Sequence, residues 1–186
     1  MHLQNDSTNY KFCPHCSGAL EQRLIKQTEP MRLVCIKCDF IFYLDPKLAV
    51  GTIIVNKEKH ILLIRRAIEP GYGKWVFPGG YVDRGEEVIA AAIREAREEC
   101  GLKVQIERLV NIYSYAGRTP VIIVYAATMV SGEVSIDEES SEAALFNVSD
   151  IPWNSLAFSS TRDALRDYFS GVLHPLPSAR TSPRQI

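Results

Sequence analysis

Glu95, Glu98 and Glu99 crowd the end of one stretch, GGYVDRGEEVIAAAIREAREECGL over residues 79–102, which reads as a glycine turn feeding an amphipathic helix from about Glu86 to Cys100. Acids suit the start of a helix, where Asp83, Glu86 and Glu87 stand, because the helix dipole is positive there; at the finish the dipole opposes them. Glu95 and Glu99 are also a like-charged i,i+4 pair, and Glu95 and Glu98 an i,i+3 pair. Each mismatch costs from a few tenths to about 1 kcal/mol. Arg94, able to pair with Glu98, and Arg97 soften the field without cancelling it. A solvated acidic face is the ordinary reading of such a run. Three features favour another: the glutamates share a face, they sit at the wrong end of the dipole, and a Pro-Gly-Gly turn brings backbone carbonyls toward them. Convergent carboxylates with a carbonyl make a hard, oxygen-rich site suited to Mg²⁺ or Mn²⁺.

The second group is Cys13-Pro-His-Cys16 and Cys35-Ile-Lys-Cys38, four of the five cysteines, with residues 17–34 between the pairs. Two residues between cysteines make a tight knuckle that aims both sulfurs at one point, and two knuckles complete a tetrahedron around one Zn²⁺. His15 lies inside a knuckle, but four thiolates already close the shell. No position stays open for water, so the zinc is structural. So short a segment buries little core, and the metal supplies much of its folding energy. Cys100, on the helix, reads as a small apolar residue.

Both groups need elements to hold them. The segment EQRLIKQTEPMRLVC between the knuckles reads as a short hairpin. Beyond it, KLAVGTIIVN and HILLIRRA flank the polar turn KEK as a second hairpin, and WVFPGGYV is a short strand broken at Pro78. In the helix, Ile89, Ala92, Ile93, Ala96 and Cys100 fall at helical spacing and predict the buried stripe, with Gly101 as the stop. VQIERLVNIYSYA and PVIIVYAATMV predict two strands joined at GRT, and EAALFNV a shorter one. SSTRDALRDYF predicts a closing helix with Ala164, Leu165, Tyr168 and Phe169 inward and Ser159 or Ser160 as its cap. The order implies an α/β class with a mixed sheet between helices. The domains expected are 1–46, 47–172 and a proline-rich mobile tail over 173–186.

Composition bounds the function. With 186 residues, a formal net charge of −1 and 23% charged residues, the chain offers no electrostatic case for nucleic acid or an anionic membrane as its main partner. No apolar run approaches the roughly 20 residues of a membrane helix. The N-terminus, MHLQNDSTNYKF, lacks the pattern of a secretory signal, so a reducing cytoplasmic setting is expected.

The stretch from Gly80 resembles the signature of the Nudix hydrolases: a glycine, five residues, a glutamate, seven residues, then Arg-Glu-apolar-x-Glu-Glu-x-Gly-apolar. Gly80, Glu86, Arg94, Glu95, Glu98, Glu99, Gly101 and Leu102 fit it, and Ala96 stands where a larger aliphatic is usual. The resemblance implies an α/β/α sandwich and metal-dependent hydrolysis of a nucleoside diphosphate linked to another group. By position, Glu95, Glu98 and Glu99 resemble the ligands of more than one catalytic Mg²⁺ or Mn²⁺, with the carbonyl of Gly79 a further ligand. Arg94 resembles the residue that orients those glutamates, and Glu86 the one that holds loop and helix together. A general base outside the signature is expected in DEESSEAALF, where Asp137, Glu138, Glu139 and Glu142 stand; Glu142 is favoured, then Glu139.

A zinc ribbon ahead of such a domain resembles two groups. The NADH pyrophosphatases carry a Ser-Gln-Pro-Trp-Pro-Phe-Pro motif that this chain lacks. The FAD and ADP-ribose pyrophosphatases are similar at FCPHCSG, DPKLAVGTII, GKWVFPGGYVDRGE and DIPWNSLAFSS, from Phe12 to about Phe169. That implies ADP-ribose or FAD as substrate, giving AMP plus ribose 5-phosphate or FMN, and a homodimer. For the substrate, Tyr113 and Tyr115 on one strand face, Tyr81 beside the signature and Arg118 at a strand turn are the candidates; Tyr72 and Trp75 also lie nearby, Trp75 reading rather as core. The alternatives are an NADH pyrophosphatase, clean-up of oxidised nucleotides, or a ribbon that grips RNA or a protein beside a Nudix domain acting only as a sensor.

Overall fold

The structure, a computed structural model, describes residues 10–171; the tail expected over 173–186 lies outside the described residues. Two compact units divide at Pro46 and Lys47.

The small unit is a three-stranded antiparallel sheet of β1 (Leu20–Arg23), β2 (Arg32–Cys35) and β3 (Ile41–Phe42). The expected hairpin is β1–β2; β3, too short to read in the sequence, adds to it through Leu33–Phe42 and Val34–Ile41.

The large unit is built on a six-stranded mixed sheet. Its strands are β4 (Leu48–Val55), β5 (Ile61–Arg66), β6 (Trp75–Val76), β7 (Lys103–Ser114), β8 (Val121–Ser131) and β9 (Ser140–Phe146). The order is β6-β5-β4-β8-β7, with β9 also on β5; β4 and β8 run parallel from Leu48–Val121 to Val55–Thr128. Helices α1 (Val88–Cys100) and α2 (Ser159–Ser170) lie on opposite faces.

The period of two along each strand makes this a sandwich. On β4, Ile53 and Val55 face α2, where Ala164 and Leu165 are fully buried, while Val50, Thr52 and Ile54 face α1. On β5, Ile61 and Leu63 take the first side and Leu62 and Ile64 the second. Both faces of the central strands are covered, which is why these strands are continuously apolar. Among the described residues no helix is long and apolar enough to cross a membrane.

The hairpin expected at KEK is narrower than its sequence suggests. β4 and β5 pair at Val55 and Ile61. Further along β4, the segment Pro78–Val82 takes the edge: Thr52 N–H donates to Pro78 O (2.8 Å), Val50 N–H to Gly80 O (2.8 Å) and Val82 N–H to Leu48 O (3.0 Å). Gly51 opposite is required, because a Cβ there would lie 2.1 Å from the Phe77 ring.

Candidate functional site

α1 begins two residues later than its sequence suggests, with Glu87 in extended conformation as N-cap. It ends at Gly101, whose φ of 68° is left-handed and whose N–H donates to Arg97 O, as helix stops require. The expected stripe is corrected. Ile89 and Ile93 are exposed, and the buried residues are Ala91, Ala92, Ala96, Glu99 and Cys100. Three alanines let the helix lie close on β4, near enough for the Thr52 hydroxyl to reach Ala92 O at 3.4 Å. The larger isoleucines turn to solvent, and glutamates 95 and 99 take the edge of the packed stripe instead.

Those two carboxylates meet the glycine turn. Gly79 N–H donates to Glu99 Oε2 at 2.7 Å. Gly80 is needed because a Cβ would lie 2.5–2.7 Å from the Glu95 carboxylate. Burial pushes the Glu99 carboxyl up to about 8, against the stabilising amide of Gly79, with Glu95 and Asp137 adding to the rise and Arg66 opposing it. Burial raises Glu95 as well, against its bond to Arg94. Glu98 is more exposed, at the outer edge of the cluster.

Arg94 ties the unit together. Its Nε and Nη2 grip Glu86 at 2.8 and 2.9 Å, its Nη1 reaches Glu95 at 2.8 Å and Glu98 at 2.9 Å, and Nη2 also donates to Tyr81 O at 3.1 Å. A guanidinium fork suits this, having five donors in a fixed plane. Glu86 also accepts the Asp83 N–H at 3.0 Å, and the Arg94 bond and this amide hold its carboxyl down at about 2.

Of the acids the sequence offers in DEESSEAALF, Asp137 is the one that acts electrostatically on Glu99. The chain after β8 folds back on the helix end, where Ser135 N–H donates to Cys100 O at 3.0 Å. A Cβ on Gly101 would strike Ser135 Oγ at 2.3 Å. That return carries Asp137 to within electrostatic reach of Glu99. No local signal marks it; the close fit of Gly101 against Ser135 places it.

Glu142 and Glu139 are placed otherwise. Ala143 packs on the α1 side with Ala96 and Cys100, so the strand pleat turns Glu142 to the other face, where it pairs with Arg65 at 3.4 Å. Glu139 is fixed through its backbone, its carbonyl accepting from Ala67 N–H at 2.7 Å. Tyr113 and Tyr115 also lie away from α1. Tyr113 is buried and donates to Asp167 Oδ2, and Tyr115 donates to Asp163 Oδ2, both at 2.7 Å, so these hydroxyls hold α2. Arg118 is exposed in the β7–β8 turn. Tyr81 does lie beside the helix, half exposed. At α2 the N-cap is Phe158 rather than a serine, and no side chain caps it.

In the small unit the four cysteine sulfurs lie within 4.8 Å of one another, the one such group of metal-ligating side chains among the described residues. The knuckles repeat one pattern. Ser17 N–H donates to Cys13 O and Asp39 N–H to Cys35 O, while Cys13 N–H and Cys35 N–H donate to Gly18 O and Phe40 O. Each turn closes through a residue with positive φ, Ser17 at 60° and Asp39 at 54°. His15 N–H donates to Cys13 Sγ (3.3 Å) and Lys37 N–H to Cys35 Sγ (3.4 Å), the second layer of bonds that steadies thiolate ligands. The His15 ring stacks on Phe40 at 5.9 Å, outside the sulfur group. Four converging sulfurs suit one structural zinc.

Comparison with known proteins agrees with this anatomy. The NUDIX domain model matches residues 45–168, and a zinc-ribbon model described as Nudix N-terminal matches residues 11–44. A protein named ADP-ribose pyrophosphatase from Methanocaldococcus jannaschii is 36% identical over 130 residues, covering 68% of this chain and 75% of that one. One named NAD-capped RNA hydrolase NudC, from Salmonella heidelberg, is 28% identical over 145 residues; this chain spans 54% of its length. A crystal structure of a NUDIX hydrolase from Nitrosomonas europaea superposes with a TM-score of 0.82 at 34% identity, covering 88% of this chain and 92% of that one. With a matching domain over two thirds of its length, a zinc-ribbon unit before it and the signature residues gathered on one helix and its glycine turn, the chain belongs to the Nudix hydrolase family.

Proposed function

We propose that the protein hydrolyses the pyrophosphate bond of a nucleoside diphosphate derivative, ADP-ribose foremost and FAD second, using Mg²⁺ or Mn²⁺ held by Glu95, Glu98 and Glu99 with the carbonyl of Gly79. The observation that carries this reading is the burial of Glu99, close to Glu95 and Asp137, with Arg94 already engaged by Glu86. An all-oxygen donor set with surplus buried negative charge fits a hard divalent cation. Pro78 O and Gly80 O are both taken by β4, while among the described residues no such bond reaches the Gly79 carbonyl between them, which suits it to a ligand role.

Bound there, such ions supply charge neutralisation at the diphosphate and a water of lowered pKa. The chain's own residues do the rest by position. The Gly79 amide fixes the Glu99 carboxylate, the Arg94 fork fixes Glu95 and Glu98, and Glu86 holds that fork in place. Asp137 stands near Glu99 as the acid able to receive a proton from an attacking water. Phosphoryl transfer asks mainly for such placement and charge stabilisation.

ADP-ribose is favoured because the 36% identical relative is named for that activity and is spanned over 75% of its length. Behind these stands hydrolysis at an NAD-type end, favoured by the 28% identical relative named NAD-capped RNA hydrolase NudC. Rates on ADP-ribose, FAD, NADH, 8-oxo-dGTP and capped RNA, with Mg²⁺ and then Mn²⁺, test the proposal. ADP-ribose or FAD turning over fastest supports it. No metal-dependent hydrolysis of any of them leaves a binding module instead.

A further inference from the structure

The side of α1 turned away from Glu95 is apolar and bare. Ile89 and Ile93 are 47% and 39% exposed, and Ala90 between them is exposed as well. With Arg97, exposed one turn further on, the two isoleucines make the i, i+4, i+8 row that forms a packing ridge on a helix. The next row, Glu86, Ala90 and Arg94, has only a methyl group at its middle, which leaves a notch beside the ridge. Ile93 and Glu95 point roughly 160° apart around the helix, so the ridge is not part of the glutamate cluster. Edge strand β7 adds Ile112, 53% exposed and paired in register with Ile123; its neighbour Tyr113 packs toward α2, so Ile112 stands on the α1 side of the sheet.

Single exposed aliphatics are ordinary on a monomer. These are contiguous on one ridge and flanked by charges of opposite sign. Glu87 at the start and Arg97 near the end are both exposed, and neither enters an ion pair among the described residues. They stand ten residues apart, about 15 Å along the axis. An antiparallel helix of the same sequence brings each arginine to the other copy's glutamate, twice over by symmetry. The two-fold axis then passes close to Ile93, and Ile89 meets the apolar stem of the partner's Arg97. A parallel approach sets like charges against each other at both ends.

We infer that this ridge is the contact between two copies of the chain, α1 against α1 in antiparallel array, with Ile89 and Ile93 as its apolar centre and Glu87–Arg97 pairs at both ends. Ridge and notch on one helix make such a contact self-complementary, as a two-fold interface requires. Pairing there leaves Glu95 and the glycine turn of both copies uncovered. The inference stands apart from the hydrolytic reading, because its test reads mass and not turnover.

The test is sedimentation velocity of the full zinc-loaded chain over a concentration series. The unaltered protein should sediment as a dimer that dissociates on dilution. Ile93→Glu, which sets two carboxylates against each other at the axis, should weaken the dimer about tenfold or more. Arg97→Glu and Glu87→Arg should each do the same, and the two exchanged together should restore it. Melting curves show whether each variant is folded; should Ile93→Glu unfold, the two charge reversals and their exchange decide alone. A protein that stays monomeric throughout the series, a dimer unmoved by Ile93→Glu and Arg97→Glu, or a charge exchange that restores nothing overturns the interface.

Discussion

Gly79 and Glu99, twenty residues apart in sequence, are joined by a 2.7 Å hydrogen bond from the glycine amide to the glutamate carboxylate. Turn and helix end are thereby one object, and a buried acid at the foot of α1 is held in a fixed orientation.

Glu99→Gln keeps that bond through its amide oxygen while removing the charge. kcat should fall by about 100-fold or more, as for loss of a group that places a catalytic metal. The rise in melting temperature that Mg²⁺ gives the unaltered protein should shrink strongly, because a ligand stabilises only the state that binds it. Differential scanning with and without Mg²⁺ reads both; a variant that simply unfolds would contradict the metal account.

At Gly80, an alanine would place its Cβ 2.5–2.7 Å from the Glu95 carboxylate, forcing that group aside. Gly80→Ala should reduce kcat/KM by about tenfold or more, since small misplacements in a site cost that much. Its circular dichroism should match the parent's, because the displaced group is a side chain at the site's edge.

The Glu86–Arg94 fork predicts a pH signature. Glu86 is held at about 2, below its ordinary 4.5, so its stabilising effect stands in full above about pH 4.5, shrinks as pH falls, and is gone below about 2. Denaturant melts of the parent and Glu86→Gln should therefore differ at pH 7 and converge on acidification through that window. Arg94→Lys, which keeps the charge but loses the fork, should still be impaired in turnover.

On the other face of the sheet, Tyr113→Phe removes the donor to Asp167 while Asn111 Nδ2 still reaches that acid at 3.0 Å. Stability should drop by about 1 kcal/mol, with KM for ADP-ribose unchanged. A marked rise in KM would return Tyr113 to the substrate.

Removing zinc with a strong chelator should release one ion per chain and expose residues 10–46 to protease while the NUDIX domain keeps its melting transition. Atomic emission and limited proteolysis measure the two halves of that prediction. The small sheet has three short strands and little else to hold it.

The signature and the cysteine knuckles were legible because both are local: close spacing on a helix or a turn is geometry written directly in the chain. Strand positions were legible for the same reason, through apolar runs. Ile89 and Ile93 misled, since helical periodicity cannot tell which of two adjacent stripes faces the sheet; three alanines and two carboxylates won over the larger aliphatics. The placement of Asp137 and Glu142 was not legible, because it depends on contacts far apart in sequence. Ser135 against Gly101 brings one acid in, and the pleat of β9 turns the other away. Tyr113 and Tyr115 share a strand face, as the sequence implied, and that face meets α2.

The segment Pro78–Val82 is pinned to β4 by its main chain alone. Glycine is demanded at 79 and 80, but the bonds at either side of position 81 do not use its side chain, so that position can change over evolutionary time without unseating the helix that follows. The exposed ring at position 81 and the register of the turn are then separately adjustable, the one by substitution and the other held by main-chain bonds to β4.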